Sequence, residues 1–282
     1  MQQQNQSFFK LPTAEKLAIA HPGGSDPQRG FSCVGSENSS TLYRKGLLKT
    51  QVPEDLRDAR EHFDMGAPTD LSYPTRWPST THLPGFRPFM ESAFDSLERT
   101  AALIMSALES ALALTPGTFL SSITHAENAS ELRLNHYPSI PVREINSGSV
   151  SRIWPHFDLG VITLLFQDGN CSGLEFEDRS QIGGKCFNRV DCGDPLEMVV
   201  NVSETLQRWT NGKLAAGLHR VNIPEGLKGD VVPERFSVAY FCKADRDADI
   251  GALKEFVSDG DEKKYESIRA IEYHQQRLQS AY

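Results

Sequence analysis

The stretch WPHFDLGVITLLFQD, residues 154–168, decides how the rest of the chain is read. Its second half is an apolar, β-favouring run, and its first half carries a histidine and an aspartate two residues apart. Taken as one strand over 156–167, it points His156 and Asp158 to the same side, about 7 Å apart along the strand. Ile162, Leu164 and Phe166 share that parity, so the two polar side chains would stand at the open end of an apolar interior face. A lone carboxylate in such a place is costly, and a divalent cation is one partner that removes the cost.

Two ligands seldom hold a metal, so a third is expected elsewhere. Of the eight histidines, His219 fits best. It sits in GLHRVNIP (217–224), a strand-like run that an antiparallel pairing could bring across from His156. Two imidazoles and one carboxylate on one face of a metal form the facial triad of non-haem Fe(II) oxygenases, which leaves positions open for other ligands. A zinc hydrolase site or a plain His–Asp hydrogen bond would use the same residues.

Downstream, ERFSVAYF (234–241) sets Arg235 and Ser237 two apart, again on one face. An arginine on the inner face of an apolar strand needs a buried anion, and its planar fork grips a carboxylate through two parallel hydrogen bonds. A dicarboxylate would satisfy both places, its keto-acid end at the metal and its far carboxylate on Arg235 and Ser237. An internal salt bridge is the alternative.

The surrounding composition is compatible with such an enzyme. The chain has 282 residues, 39% of them hydrophobic, enough for one large domain or two small ones. Its net charge is −8, and no basic cluster offers a nucleic-acid face. The five cysteines, Cys33, Cys171, Cys186, Cys192 and Cys242, are odd in number and contain no CxxC pair. That argues against a disulfide framework or a zinc ribbon and suits free thiols in a reducing cytosol. MQQQNQSFFKLP lacks a secretory pattern, and no apolar run is long enough to span a membrane. The expectation is a cytoplasmic protein with a small-molecule substrate, no nucleic-acid partner and no membrane contact.

Along the chain, residues 20–50 read as loop, PEDLRDAREHFD (53–64) as a charged helix, and 66–88, with five prolines, as extended. A long helix is predicted over 85–114, with Met90, Phe94, Leu97, Ala101, Ile104, Leu108 and Ala111 as its apolar stripe. Short β-favouring runs follow: ELRLNHY, SVSRIW, VITLLFQ, GLEFE, EMVVNV, GLHRVNI and RFSVAYF. Their turn punctuation suggests an antiparallel sandwich or barrel. The tail over 252–278 returns to helix. Three regions result: an N-terminal helical and loop region over 1–124, a β-rich core over 125–250 and a helical tail over 251–282.

The ordered set LRLNHYP (132–138), PHFDLGVITLLFQD (155–168), GLEFED (173–178), LQRWTNGKLAAGLHRV (206–221) and RFSVAYF (235–241) resembles the 2-oxoglutarate- and Fe(II)-dependent oxygenases of the isopenicillin N synthase-like group. WPSTTHLPGFR (77–87) and YESIRAIEYHQQRLQSAY (265–282) fit it too. The resemblance implies a mainly β fold, a double-stranded β-helix or distorted jelly roll with flanking helices. It implies His156, Asp158 and His219 as iron ligands and catalytic centre, and Arg235 and Ser237 on the far carboxylate of 2-oxoglutarate. Asn135 and Tyr137 match positions that also touch that co-substrate, and Phe241 matches an aromatic position that lines the substrate pocket. Trp154, by its shared parity with His156, is a further substrate-pocket candidate.

Fe(II), 2-oxoglutarate and O2 are the implied cofactor and co-substrates. Oxidation of a small organic molecule in secondary metabolism is the implied activity. An Fe(II) oxidase of the same fold that uses O2 without 2-oxoglutarate, and a non-catalytic ligand-binding relative, are the competing readings. Two departures stand out. Ser203-Glu204 replaces the usual Gly-Asp. The residues that family members usually carry before the segment matching SFFKLP are also missing, which implies a shortened N-terminal part and a sheet edge left open or filled otherwise.

Overall fold

A computed structural model describes residues 1–37, 39–40, 56–168, 173–180, 186–190, 197–258, 260 and 262–279. The expected loop over 41–50, the start of the expected helix at 53–55, and Cys171 and Cys192 lie outside them. Ten strands build its two main sheets. In chain order they are β1 (Gly30–Ser32), β2 (Glu61–Gly66), β3 (Glu131–Tyr137), β4 (Ile153–His156), β5 (Ile162–Gln167), β6 (Leu174–Asp178), β7 (Cys186–Arg189), β8 (Val199–Val202), β9 (His219–Val221) and β10 (Arg235–Cys242). The larger sheet runs β1-β2-β3-β10-β5-β8 and the smaller β7-β6-β9-β4, with every pair antiparallel.

The larger sheet owes its shape to β10, which pairs β3 on one side and β5 on the other. RFSVAYFC is buried on both faces, and strict alternation sorts its side chains. Val238, Tyr240 and Cys242 join the apolar core, while Arg235, Ser237, Ala239 and Phe241 face a cavity between the sheets. The core side is covered by α2 (Phe86–Ala111) and, over β3 and β10, by α1 (Gln2–Phe9). The buried Asn5 of α1 donates to the carbonyls of Asn135 and Ser237, 3.3 and 3.0 Å away. Among the described residues, Cys33, Cys186 and Cys242 are free, and no helix is long and apolar enough to cross a membrane.

The long helix forms much as predicted, but its stripe drifts. Phe86, Met90, Phe94, Leu97, Ala101 and Met105 are buried, and the row ends on Glu109 rather than Ala111. Glu109 accepts hydrogen bonds from the amides of Gly117, Phe119 and Leu120, at 2.8, 2.6 and 3.1 Å, and so ties down the turn after the helix.

One expected helix is absent and another forms only in part. The described part of 53–64 forms a two-residue strand, Arg57–Asp58, and then β2. The charges of the expected helix are buried and paired instead: Glu61 with Lys16 and His136, Asp64 with Arg133, Arg60 with Glu37. In the tail, only a short 3-10 turn at Lys254–Phe256 and α4 (Ala270–Leu278) are helical among the described residues. The segment between them bonds to neighbouring loops, through Ala252 N–H to Tyr265 O and Lys264 N–H to Asn211 Oδ1, at 3.0 and 2.9 Å. These tertiary bonds displace the local helical ones.

The opening stretch is not one strand either. β4 ends at His156 in the smaller sheet and β5 starts at Ile162 in the larger, so Asp158 lies in the connection between sheets. Ile162 and Leu164 therefore pack in the α2 core, with Phe166 against it. Thr163 and Leu165, of opposite parity to that expected, face the cavity.

Phe94 is fully buried and meets Tyr240 edge to face at 5.2 Å. Phe94→Ala should cost about 3–5 kcal/mol, the range for emptying a packed aromatic site, measured as a fall in unfolding free energy in urea.

Candidate metal centre and its two cavities

His156 ends β4 and His219 opens β9, and the two residues are directly paired across the smaller sheet. Asp158 reaches the same point from the inter-sheet connection. Each imidazole Nε2 lies 3.8 Å from Asp158 Oδ1, and the ring centroids are 4.2 Å apart. All three ligand atoms fall within 4.8 Å of one another, the one such cluster among the described residues. These gaps exceed hydrogen-bond length and leave room for one ion between three ligands.

The surroundings prepare each ligand. His156 Nδ1 donates to the carbonyl of Trp154 and His219 Nδ1 to that of Gly217, both at 2.9 Å. With Nδ1 bonded to a backbone carbonyl, each ring turns its Nε2 to the centre. Burial, helped by the neighbouring His219, lowers His156 to a pKa of about 3, so it is the neutral imidazole a metal needs. Burial opposes ionisation of Asp158. The adjacent imidazoles and its hydrogen bonds outweigh that and hold the carboxyl below its ordinary range. Asp158 Oδ2 accepts from Thr163 Oγ1 at 2.7 Å and Asn201 Nδ2 at 3.0 Å, which leaves Oδ1 for the centre.

The backbone around Asp158 is pinned by the start of α3 (Glu204–Trp209). The amides of Ser203, Glu204 and Thr205 donate to the carbonyls of Val161, Asp158 and Gly160, at 2.9 to 3.0 Å. Ser203 has φ −112°, ordinary extended backbone, so serine serves where the family usually has glycine. Gly217 is different. A Cβ there would stand 2.2 Å from Asn201 Oδ1 and 2.8 Å from the Phe176 ring, so only glycine admits the close approach that holds Asn201 against Asp158.

Two cavities meet at this centre, sharing Arg60, His156, Asp158 and Phe241 in their walls. The first, about 500 Å³ with its open mouth, ends at Asn135, Tyr137, Arg235 and Ser237. Arg235 is 1% exposed. It donates to Ser237 Oγ at 3.2 Å and Gln167 Oε1 at 2.8 Å, its Nε has no partner, and among the described residues no carboxylate is paired with it. The Tyr137 ring lies 4.8 Å from its guanidinium carbon. Arg152, also buried, stands 5.3 Å from the same ring. Burial, with Arg235 nearby, lowers Arg152 to a pKa of about 10. Of these two buried guanidinium groups, neither paired with an acid among the described residues, Arg235 lines the cavity, and a buried cation of this kind calls for an anion.

The second cavity, about 610 Å³ with its mouth, adjoins the first through those four shared residues. Its wall joins Glu37, Arg133 and Lys243 to Phe157, Leu159 and Leu278.

The structure thus brings together His156, Asp158, His219, Asn135, Tyr137, Arg235, Ser237 and Phe241. Trp154 is not among the cavity-lining residues, and its indole N–H donates to Arg57 O at 3.3 Å. The cause is a bulge: Ile153 pairs Val221 and His156 pairs His219, three steps on β4 against two on β9. The extra residue reverses the alternation, so Ile153 faces the cavity instead. Sequence reasoning missed Arg60, Arg152, Thr163, Gln167 and Asn201. A signal existed for Thr163 and Asn201, polar residues inside the apolar runs VITLLF and VVNV.

Residues 128–244 match the profile of the 2OG-Fe(II) oxygenase superfamily, and residues 1–80 match one described as non-haem dioxygenase in morphine synthesis N-terminal. The chain is 48% identical to the 2-oxoglutarate-dependent dioxygenase ucsF of an Acremonium species, across 98% of this chain and 83% of that protein. It is 39% identical to the proline hydroxylase buaE of Petromyces alliaceus, across 98% and 82%. Among solved structures, a full-length Neurospora crassa protein in complex with alpha-KG and thymine superposes with a TM-score of 0.81 at 30% identity, across 98% of this chain and 81% of that one.

Asn201→Ala should free Asp158 Oδ2 and weaken divalent-metal affinity about 10–100-fold, the usual effect of losing a residue that orients a ligand. Anaerobic titration with Fe(II) or Co(II) measures it.

Proposed function

We propose what each part of this site does from an established premise: the chain belongs to the 2OG-Fe(II) oxygenase superfamily and is a 2-oxoglutarate-dependent dioxygenase that uses Fe(II). His156, Asp158 and His219 hold the ferrous ion. Their fit rests on chemistry seen at the site: two imidazoles with Nε2 turned inward, and a carboxylate with one oxygen kept clear. Arg235 and Ser237 take the far carboxylate of 2-oxoglutarate, with Tyr137 and Asn135 beside it. The observation that carries this assignment is the buried Arg235, with no acid paired to it among the described residues.

Bound there, the ion and the keto acid would supply the oxidising chemistry, by which 2-oxoglutarate, O2 and substrate give succinate, CO2 and oxidised substrate. The protein's own part is placement. Arg235 and Ser237 set the depth of the keto acid, so that its other end reaches the His156–Asp158–His219 centre. Leu165, Leu174, Phe176 and Val221 line the same cavity and keep water off that path. Phe241, in the wall of both cavities, separates co-substrate from substrate.

The second cavity receives the substrate. Its mixed wall of charged and apolar side chains suits a small polar molecule better than a large lipid. Kinship to a proline hydroxylase supports a free amino acid, and kinship to fungal dioxygenases supports a place in secondary-metabolite biosynthesis. Hydroxylation is the simplest outcome, with desaturation and ring closure as variants.

Anaerobic addition of Fe(II) and 2-oxoglutarate should produce the metal-to-ligand absorption band of the chelate. His219→Ala should abolish the band and succinate formation together. Arg235→Lys should leave Fe(II) binding intact and raise the KM for 2-oxoglutarate roughly tenfold or more, since an ammonium cannot reproduce the forked contact. An unchanged KM would assign Arg235 to packing.

A further inference from the structure

Three carboxylates line the substrate-side cavity: Asp158, Glu131 and Glu37. Asp158 is committed to the metal centre and to Thr163 and Asn201. Glu131 has both oxygens engaged, Oε1 by Arg29 at 2.8 Å and Oε2 by Lys243. Glu37 differs. Arg60 Nη2 and Arg133 Nη1, the latter at 3.3 Å, both converge on Oε2. Oε1 receives only Gln28 Nε2 at 3.5 Å, the far limit of a hydrogen bond. A carboxylate has about four lone-pair sites, so among the described residues one oxygen of Glu37, whose side chain is 12% exposed, is left under-engaged. Burial disfavours its charge, but Arg60 and Arg133 more than compensate and hold Glu37 ionised. The rest of this wall includes Phe157, Leu159, Phe241 and Leu278, which offer no side-chain acceptor.

Such a wall suits a molecule with a positively charged N–H donor at one end and an apolar body. We propose that Glu37 is a specificity-determining residue: its Oε1 accepts a hydrogen bond from the ammonium group of the substrate. The inference rests on the reading of this cavity as the substrate site. Arg60 and Arg133 act as positioning residues, fixing the carboxylate from the Oε2 side. Arg60 also donates through Nη1 to Asn135 Oδ1, 3.2 Å away in the co-substrate cavity, so the carboxylate and the keto-acid site share one support.

The test uses the Fe(II)-loaded enzyme with 2-oxoglutarate. The probes are free apolar L-amino acids, proline among them, each paired with the 2-hydroxy acid of the same skeleton, which lacks only the nitrogen. The wild type should release succinate with at least one amino acid, at a kcat/KM ten or more times that of its hydroxy analogue. Glu37→Gln should raise the KM for the amino acid at least tenfold and shrink that discrimination towards unity, and Glu37→Asp should restore part of it. The anaerobic chelate band should survive in both variants. Equal losses on amino and hydroxy acids, a wild type that accepts both equally, or no response to any amino acid would overturn the inference while the band stands. A wild type without the band would overturn the reading beneath it as well.

Discussion

The pairing of His156 with His219 across β4 and β9 is the constraint on which the rest depends. It sets two imidazoles side by side, their rings tilted by 51°, where each bonds through Nδ1 to a carbonyl two residues before it. The third ligand comes from the connection between sheets, and its position must be imposed from outside. Three consecutive amides at the start of α3 grip that connection, and Thr163 and Asn201, from the larger sheet, orient the carboxylate. Metal affinity here is therefore a property of both sheets at once, and a single added methyl at Gly217 would disturb it.

Charge is arranged differently in the two cavities. At the Arg235 end of the first cavity, buried Arg235 and the nearby buried Arg152 have no paired acid among the described residues. In the wall of the second cavity, acids and bases are interlocked: Glu37 between Arg60 and Arg133, Glu131 between Arg29 and Lys243. Interlocked buried charges add little stability, because desolvation offsets most of their attraction. They do hold side chains in fixed places, which is what discrimination between small polar molecules requires.

Several alternatives open from the sequence close once relatives and geometry are joined. An oxidase independent of 2-oxoglutarate, a zinc hydrolase and a non-catalytic relative all fit an H-x-D with a distant histidine. High identity to 2-oxoglutarate-dependent dioxygenases along nearly the whole chain selects among them. The buried guanidinium at the end of the first cavity is the matching physical feature.

Residue chemistry alone determined a good deal. The triad His156, Asp158 and His219 was legible because metal ligands have a narrow vocabulary, and an aspartate beside an apolar run demands a partner. Arg235 and Ser237 were legible from alternation on a regular strand, which β10 is. The long helix was legible from its stripe. Tertiary structure decided what local pattern cannot express. The bulge on β4 placed Ile153 rather than Trp154 at the cavity. The sheet crossover at Asp158 put Thr163 and Leu165, not Ile162 and Leu164, beside the metal centre. Charges read as a helix at 53–64 became buried pairs, as Arg60, Glu61 and Asp64 show. Each surprise has the same origin: alternation and charge describe a segment by itself, whereas burial depends on which distant partner arrives to satisfy it.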